Sequence, residues 1–129
     1  MSDKCGLSRF KECNVLNLDE IGITEKHADL LLVCSRIVIV IEETRVMKSS
    51  DIDQVEQTLY NIKNNKEKYG IDSDPSRLIG IIHSTKRFDS IAIKVLATKS
   101  RRGLVLDKAE CCESLIRKIQ LILSKTGEK

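Results

Sequence analysis

Aromatic side chains are scarce in this sequence: they make up 3% of its residues, and tryptophan does not occur. So few rings exclude a base-stacking platform of the kind that single-strand nucleic-acid binders use. A core must therefore be built from isoleucine, leucine and valine. The sequence also lacks a glycine-rich phosphate loop, a dinucleotide-binding glycine motif, a zinc-protease motif and a serine-hydrolase elbow.

The cysteines are five in number, and none forms a C-x-x-C pair. This pattern indicates neither a secreted disulfide framework nor a zinc knuckle. Cys34 and Cys112 fall at apolar positions, so we interpret them as small core residues. The N-terminus is polar, unlike a signal peptide, and the longest apolar run is far below the ~20 residues that cross a bilayer. We expect a protein of the reducing cytoplasm, with no membrane partner.

The length of 129 residues suits one domain with a sizeable core. We predict a single α/β domain over residues 1–129. Charged residues make up 32% of the chain, above the usual ~25%, which favours a very soluble surface and also suits a thermophile. The net charge of +3 is too small to indicate a nucleic-acid partner by itself.

The most informative segment, residues 28–45, predicts two apolar strands joined by a turn at Ser35 and Arg36. In this register Asp29 lies opposite Glu42 on the same face of the hairpin. Directly opposed residues of an antiparallel pair have Cβ atoms roughly 4.5–5.5 Å apart. Two carboxylates that close need a shared proton, a nearby cation or a metal ion.

The continuous apolar runs of the hairpin predict strands that are buried on both faces, so helices should cover both sides of the sheet. Apolar spacing predicts a helix over residues 52–68, with Ser50 as its cap and Asp53 as the capping-box partner. A first strand is expected within residues 9–18, pairing with the hairpin. The predicted order is β, β, β, α, β, α, β, α, which is an α/β fold with a mixed sheet flanked by helices.

The second hairpin strand, the helix after it and the next strand form a predicted βαβ unit. Such a unit makes its two strands parallel, so their carboxyl ends lie at the same edge of the sheet. Ligand sites in open α/β sheets favour that edge. We expect Glu42, Glu43 and Thr44 to lie there beside His83, with Asp29 at the same edge.

This arrangement resembles the PD-(D/E)xK nuclease superfamily: an aspartate opens one strand, a glutamate ends the next strand, and an amphipathic helix follows them. Its members include restriction-endonuclease-like and archaeal junction-resolvase-like enzymes. The resemblance covers residues 26 to about 83, and Gln54 and Gln57 resemble the glutamine that many members place on this helix. It implies a restriction-endonuclease-like core, hydrolysis of DNA phosphodiester bonds, Mg²⁺ or Mn²⁺ held by Asp29 and Glu42, and a homodimer. Carboxylate oxygens suit such hard cations.

The sequence departs from the family at two motif positions. An alanine replaces the proline before the aspartate, and Thr44 stands where the family has its catalytic lysine. Lys48, just beyond the strand, and Lys86, at the end of the parallel strand, are candidate replacements. A shifted register would instead make Glu43 and Arg45 the acid–base pair. We therefore take Asp29, Glu42, Thr44 and Lys48 as the candidate catalytic positions.

Basic residues gather between positions 84 and 102, a pattern that fits binding of a phosphate backbone but also a solvated helix face. The candidate nucleic-acid-binding residues are Lys86, Arg87, Lys99, Arg101 and Arg102. Three functions follow from these patterns. They are a metal-dependent DNA endonuclease, an inactive nuclease-fold module that binds DNA or a protein, and an interaction protein with no nucleic-acid role.

Overall fold

A computed structural model describes residues 4–21, 27–72, 75–101 and 105–127. Within these ranges the chain forms five strands, three α-helices and two short 3-10 helices, at Lys4–Arg9 and Lys66–Tyr69. The strands are β1 (Asn14–Asn17), β2 (Leu30–Cys34), β3 (Ile37–Met47), β4 (Arg77–Phe88) and β5 (Val105–Ala109), and the helices are α1 (Ser49–Asn64), α2 (Ser90–Arg101) and α3 (Cys112–Gly127).

The strands form one mixed sheet in the order β1-β2-β3-β4-β5. The first three strands pair antiparallel, and β3, β4 and β5 pair parallel. The predicted α/β class, the element order and the pairing of a first strand with the hairpin are confirmed. Two successive βαβ units, β3-α1-β4 and β4-α2-β5, build the parallel half.

The hairpin of β2 and β3 has the predicted register, because Cys34 pairs with Ile37 and Leu30 with Ile41 across the turn. Both faces of β2 and of the segment from Ile37 to Glu42 in β3 are buried, with Val33 half-buried, whereas β3 beyond Glu42 is more exposed. Helices α1 and α2 pack on one face, and α3 with the N-terminal 3-10 helix packs on the other. The unbroken apolar runs are explained by these two helical layers.

Gly80 lies in β4 directly under α1. A Cβ atom at this position would collide with the side chains of Val55 in α1 and Leu106 in β5. The missing side chain therefore allows α1 to pack closely against the sheet, which fixes the helix beside the ends of β3 and β4.

The helix boundaries differ from the predicted ones. The prediction of Ser50 as a cap with Asp53 as its partner is wrong: α1 follows Lys48, whose backbone N–H donates to the carboxylate of Asp51 at 2.8 Å. Lysine is not a favoured N-cap residue, so the sequence did not indicate that the helix begins directly after Lys48. The helix ends at Asn64 rather than at residue 68, and a 3-10 turn continues to Gly70. None of the described helices is long and apolar enough to cross a membrane.

Two disulfide bonds join cysteines that are distant in the sequence: Cys5 to Cys112 and Cys13 to Cys34. The interpretation of Cys34 and Cys112 as plain core residues is therefore wrong. Cys5 and Cys112 are 107 residues apart in the sequence, and Cys13 and Cys34 are 21 apart, so only the fold brings the partners together. Cys111 is free and exposed.

Candidate metal centre at the carboxyl edge of the sheet

Two acidic side chains meet where the hairpin opens. Asp29 directly precedes β2, and its backbone N–H donates to the carbonyl of Ile41 at 3.2 Å, so the antiparallel pairing continues to this point. The regular register ends with Leu30 opposite Ile41. Beyond it, the carboxylate of Asp29 is close enough to that of Glu42 in β3 to raise the pKa of Glu42. Glu42 continues the alternation of Val38 and Val40, which pack against α1. Asp29 and Glu42, hereafter the acidic pair, thus share the α1 face of the sheet.

Glu42 is nearly inaccessible to solvent, with 5% of its surface exposed. The side-chain amide of Gln54 in α1 donates toward both of its carboxylate oxygens, at 3.4 and 3.3 Å. The same amide nitrogen donates to the carbonyl of His27 at 2.8 Å, which anchors it beside the acid. Gln57, the other glutamine of the family resemblance, is exposed and bonds to Asn61 instead. Gln54 is therefore the helix glutamine that reaches the site.

Burial raises the pKa of Glu42 from 4.5 to about 8, and the neighbouring carboxylates of Asp29 and Asp51 act in the same direction. The hydrogen bonds from Gln54 oppose this rise. Glu42 therefore carries a proton at neutral pH when no cation is bound. A cation bound at the same place would neutralise the negative charge of Glu42 that the proton otherwise neutralises.

Backbone N–H groups bind the carboxylates of Asp29 and Asp51, the two acids beside Glu42. The Oδ2 atom of Asp29 accepts from the N–H of Glu43, and that of Asp51 accepts from the N–H of Lys48, both at 2.8 Å. A carboxylate fixed through one oxygen keeps the other available for a ligand. Asp51 was not among the predicted site residues. Its spacing from Lys48 was the available signal, because a capping carboxylate lies three residues into a helix.

Thr44, at the position of the family lysine, is half-buried and donates its hydroxyl proton to the carbonyl of Val46 at 3.3 Å. The pairing of β3 with β4 shifts between these two residues: Thr44 pairs with Ser84, and Val46 with Arg87. One extra residue of β4 is thus accommodated here. A threonine hydroxyl engaged with the backbone brings no positive charge to the site.

The candidate replacements for the lysine lie on the surface. Lys48, Lys86 and Arg45 are exposed. Within the described ranges, none of these three side chains forms an ion pair with the acidic pair. Among the described residues, the side-chain donor to the acidic pair is therefore the neutral amide of Gln54.

Glu43 points to the opposite face of the sheet, so the alternative of Glu43 and Arg45 as an acid–base pair is wrong. Its carboxylate oxygens lie 3.1 and 3.2 Å from Nδ1 of His83. The two residues are direct partners in the parallel register of β3 and β4. The predicted meeting of Glu43 and His83 at this edge is confirmed, but away from the acidic pair.

The predicted nucleic-acid-binding residues that the structure describes differ in exposure and in pairing. Lys86 and Arg87 are exposed at the end of β4. Lys99 is partly buried and forms an ion pair with Glu56 of α1. The side chain of Arg101 and the whole of Arg102 lie outside the described residues. Among the predicted nucleic-acid-binding residues whose side chains the structure describes, Lys86 and Arg87 are thus the exposed ones, and they lie near the sheet edge that carries the acidic pair.

No family model, curated protein or solved structure matches this chain. The nuclease resemblance therefore rests on the residues of the hairpin and of α1. Of the motif positions, the acidic pair and Gln54 lie together, and Thr44 lies two residues beyond Glu42 on the same strand.

Proposed function

We propose that this chain binds a divalent cation, Mg²⁺ or Mn²⁺, through Asp29 and Glu42 and acts on phosphodiester bonds of DNA. The observation that supports this most is the buried carboxyl of Glu42, which has a pKa of about 8 and faces two other carboxylates. Such a group is unfavourable unless a proton or a cation neutralises it. Carboxylate oxygens beside an open sheet edge also suit Mg²⁺, which keeps water and phosphate among its ligands.

The residues have separate roles in this proposal. Asp29 and Glu42 hold the cation, and Gln54 fixes the orientation of Glu42 through its hydrogen bonds. Lys86 and Arg87 supply positive charge for the phosphate backbone. The bound cation would polarise the phosphate and lower the pKa of a bound water.

A second candidate function is supported by Thr44. Thr44 cannot supply the positive charge that the family lysine would place beside the attacking water, so the same fold could bind metal and DNA without cutting. In that case the chain is an inactive nuclease-fold module whose partner is DNA or a protein. Binding through phosphates would then be strongly dependent on salt.

A homodimer and a cytoplasmic location stay predictions. A dimer would place two sites on the two strands of a duplex. Disulfides are rare in the cytosol of mesophiles and frequent in that of hyperthermophiles. Because the structure has two disulfides, a cytoplasmic location goes together with the thermophilic source that the composition favours.

The deciding experiment incubates the protein with branched, duplex and single-stranded DNA in Mg²⁺ or Mn²⁺. The double variant Asp29→Ala/Glu42→Ala should lose cleavage, whereas Asp53→Ala, at an exposed position of α1, should keep it. Thr44→Lys restores the family lysine and should raise the cleavage rate. Salt-sensitive DNA retention without cleavage supports the inactive module. If the protein neither cleaves nor retains DNA, the nuclease and the DNA-binding module are both contradicted.

A further inference from the structure

A second group of metal ligands lies at the same edge of the sheet on the α3 face. The sulfurs of Cys5 and Cys112 and an imidazole nitrogen of His83 are all within 4.8 Å of one another. They come from the N-terminal 3-10 helix, from the start of α3 and from β4. In this structure the two cysteines form a disulfide. We propose that reduction of this disulfide creates a zinc site whose ligands are the two thiolates and Nε2 of His83.

His83 is arranged as a metal ligand. Its side chain is 3% exposed, and its Nδ1 atom lies 3.1 Å from the carboxylate of Glu43. Its Nε2 atom is buried and has no hydrogen-bond partner among the described residues. A buried polar atom without a partner is costly and rare. Zinc-bound histidines commonly donate their second ring N–H to a carboxylate, which leaves the other nitrogen free to bind the metal.

The sulfur atoms can reach zinc without movement of the backbone. Two Zn–S bonds of ~2.3 Å at a tetrahedral angle separate the sulfurs by ~3.8 Å, which is farther apart than two bonded sulfurs. The Cα atoms of Cys5 and Cys112 are 5.0 Å apart, so rotation about the Cα–Cβ bonds can open this gap once the S–S bond is broken.

The donor set selects the metal. Two thiolates and an imidazole suit zinc, whereas the carboxylates of the acidic pair on the other face suit Mg²⁺. No fourth ligand from the described residues joins the group. Beside the cysteines a cleft is lined by Arg9 and Glu113. Three protein ligands with a solvent-accessible fourth position is the arrangement of a zinc site that holds water.

The redox step is balanced by an external dithiol. The dithiol gives two electrons and two protons to the Cys5–Cys112 bond and closes to its own disulfide. Both cysteines become thiols, and zinc binding releases the two thiol protons to solvent. Cys112 is exposed, so the reductant can approach the bond. Oxidation reverses the sequence and expels the metal.

Cobalt(II) is the probe, because a tetrahedral thiolate site gives it visible d–d bands and a sulfur-to-metal charge-transfer band. The full chain is reduced with a phosphine, which becomes its phosphine oxide by taking oxygen from water. The reduced chain is then titrated with Co²⁺ in the absence of air. We expect one Co²⁺ per reduced chain, displaced by Zn²⁺, and no such band in the oxidised protein. Equal spectra for both redox states, or no band after reduction, overturn the proposal.

Variants then assign the ligands. Cys112→Ser and His83→Ala should each weaken cobalt binding at least ~10-fold, whereas Cys111→Ser, at the adjacent free cysteine, should leave it unchanged. Glu43→Gln should weaken binding by ~10–100-fold while keeping the charge-transfer band, as expected for a positioning residue. Equal losses in the Cys111 and Cys112 variants contradict the assignment. Circular dichroism identifies any variant that fails to fold, and the comparison of redox states in the unaltered chain needs no variant.

Discussion

Replacement of Glu42 by glutamine should make the protein more stable at alkaline pH. Glutamine has nearly the shape of a protonated glutamate, can still accept the hydrogen bond from Gln54, and carries no charge to repel Asp29 and Asp51. The variant therefore mimics the native site as it exists below the pKa of Glu42. Glutamine does not titrate, so unfolding of the variant releases no proton from this position.

The magnitude follows from the pKa of Glu42. The native value is raised from 4.5 to about 8, so as the pH rises the unfolded chain loses this proton first. Stability is fully present below about pH 4.5 and falls by about 1.4 kcal/mol per pH unit until about pH 8. The total loss is on the order of 5 kcal/mol, a large part of the ~5–15 kcal/mol that stabilises a typical domain. Above about pH 8 the contribution is constant.

Urea denaturation at several pH values between 5 and 9, in the presence of a chelator, measures this effect. The unfolding free energies of wild type and Glu42→Gln should be similar near pH 5 and should diverge as the pH rises. Asp53→Asn, at an exposed position of α1, should give a curve parallel to that of the wild type. If Glu42→Gln also runs parallel to the wild type, Glu42 is not protonated in the native state and the reasoning fails.

Three further predictions concern the fold and the basic surface. Gly80→Ala should cost about 1–3 kcal/mol of unfolding free energy in urea, because its Cβ overlaps the side chains of α1 and β5; an unchanged midpoint contradicts the close packing. Cys112→Ser should cost roughly 2–5 kcal/mol in the oxidised protein, and Cys111→Ser should cost almost nothing; equal midpoints refute the pairing. Lys86→Ala should lower the salt slope of DNA binding by about 1, whereas ion-paired Lys99→Ala should change it less; the reverse order would place the DNA elsewhere.

The hairpin was predictable because its pattern is local. Two apolar runs joined by a short turn allow only one register that keeps Asp29 and Glu42 on one face, and a one-residue slip would turn every side chain over. The parallel pairing of β3 with β4 follows from the βαβ connection. Together these rules place Glu42, Glu43 and His83 at one edge of the sheet.

The rest of the site depends on contacts that are remote in sequence. Asp51 lies near Glu42 in the first turn of α1, which begins at Ser49, three residues before the first apolar residue of the helix, Ile52. The disulfide between Cys5 and Cys112 spans 107 residues, so no spacing rule could pair these cysteines or bring them to His83. Helix ends and long-range contacts are set by tertiary packing, which a local pattern does not contain.

Calorimetric titration of the oxidised protein with Mn²⁺ at pH 7 tests the central claim, a cation site at the acidic pair, most directly. The disulfide between Cys5 and Cys112 keeps the second site closed in this form. We expect one Mn²⁺ per chain and release of a proton from Glu42, seen as a heat that changes with the ionisation enthalpy of the buffer. Glu42→Gln should abolish this binding. Unchanged Mn²⁺ affinity in the variant, or no binding to the wild type, would contradict the account.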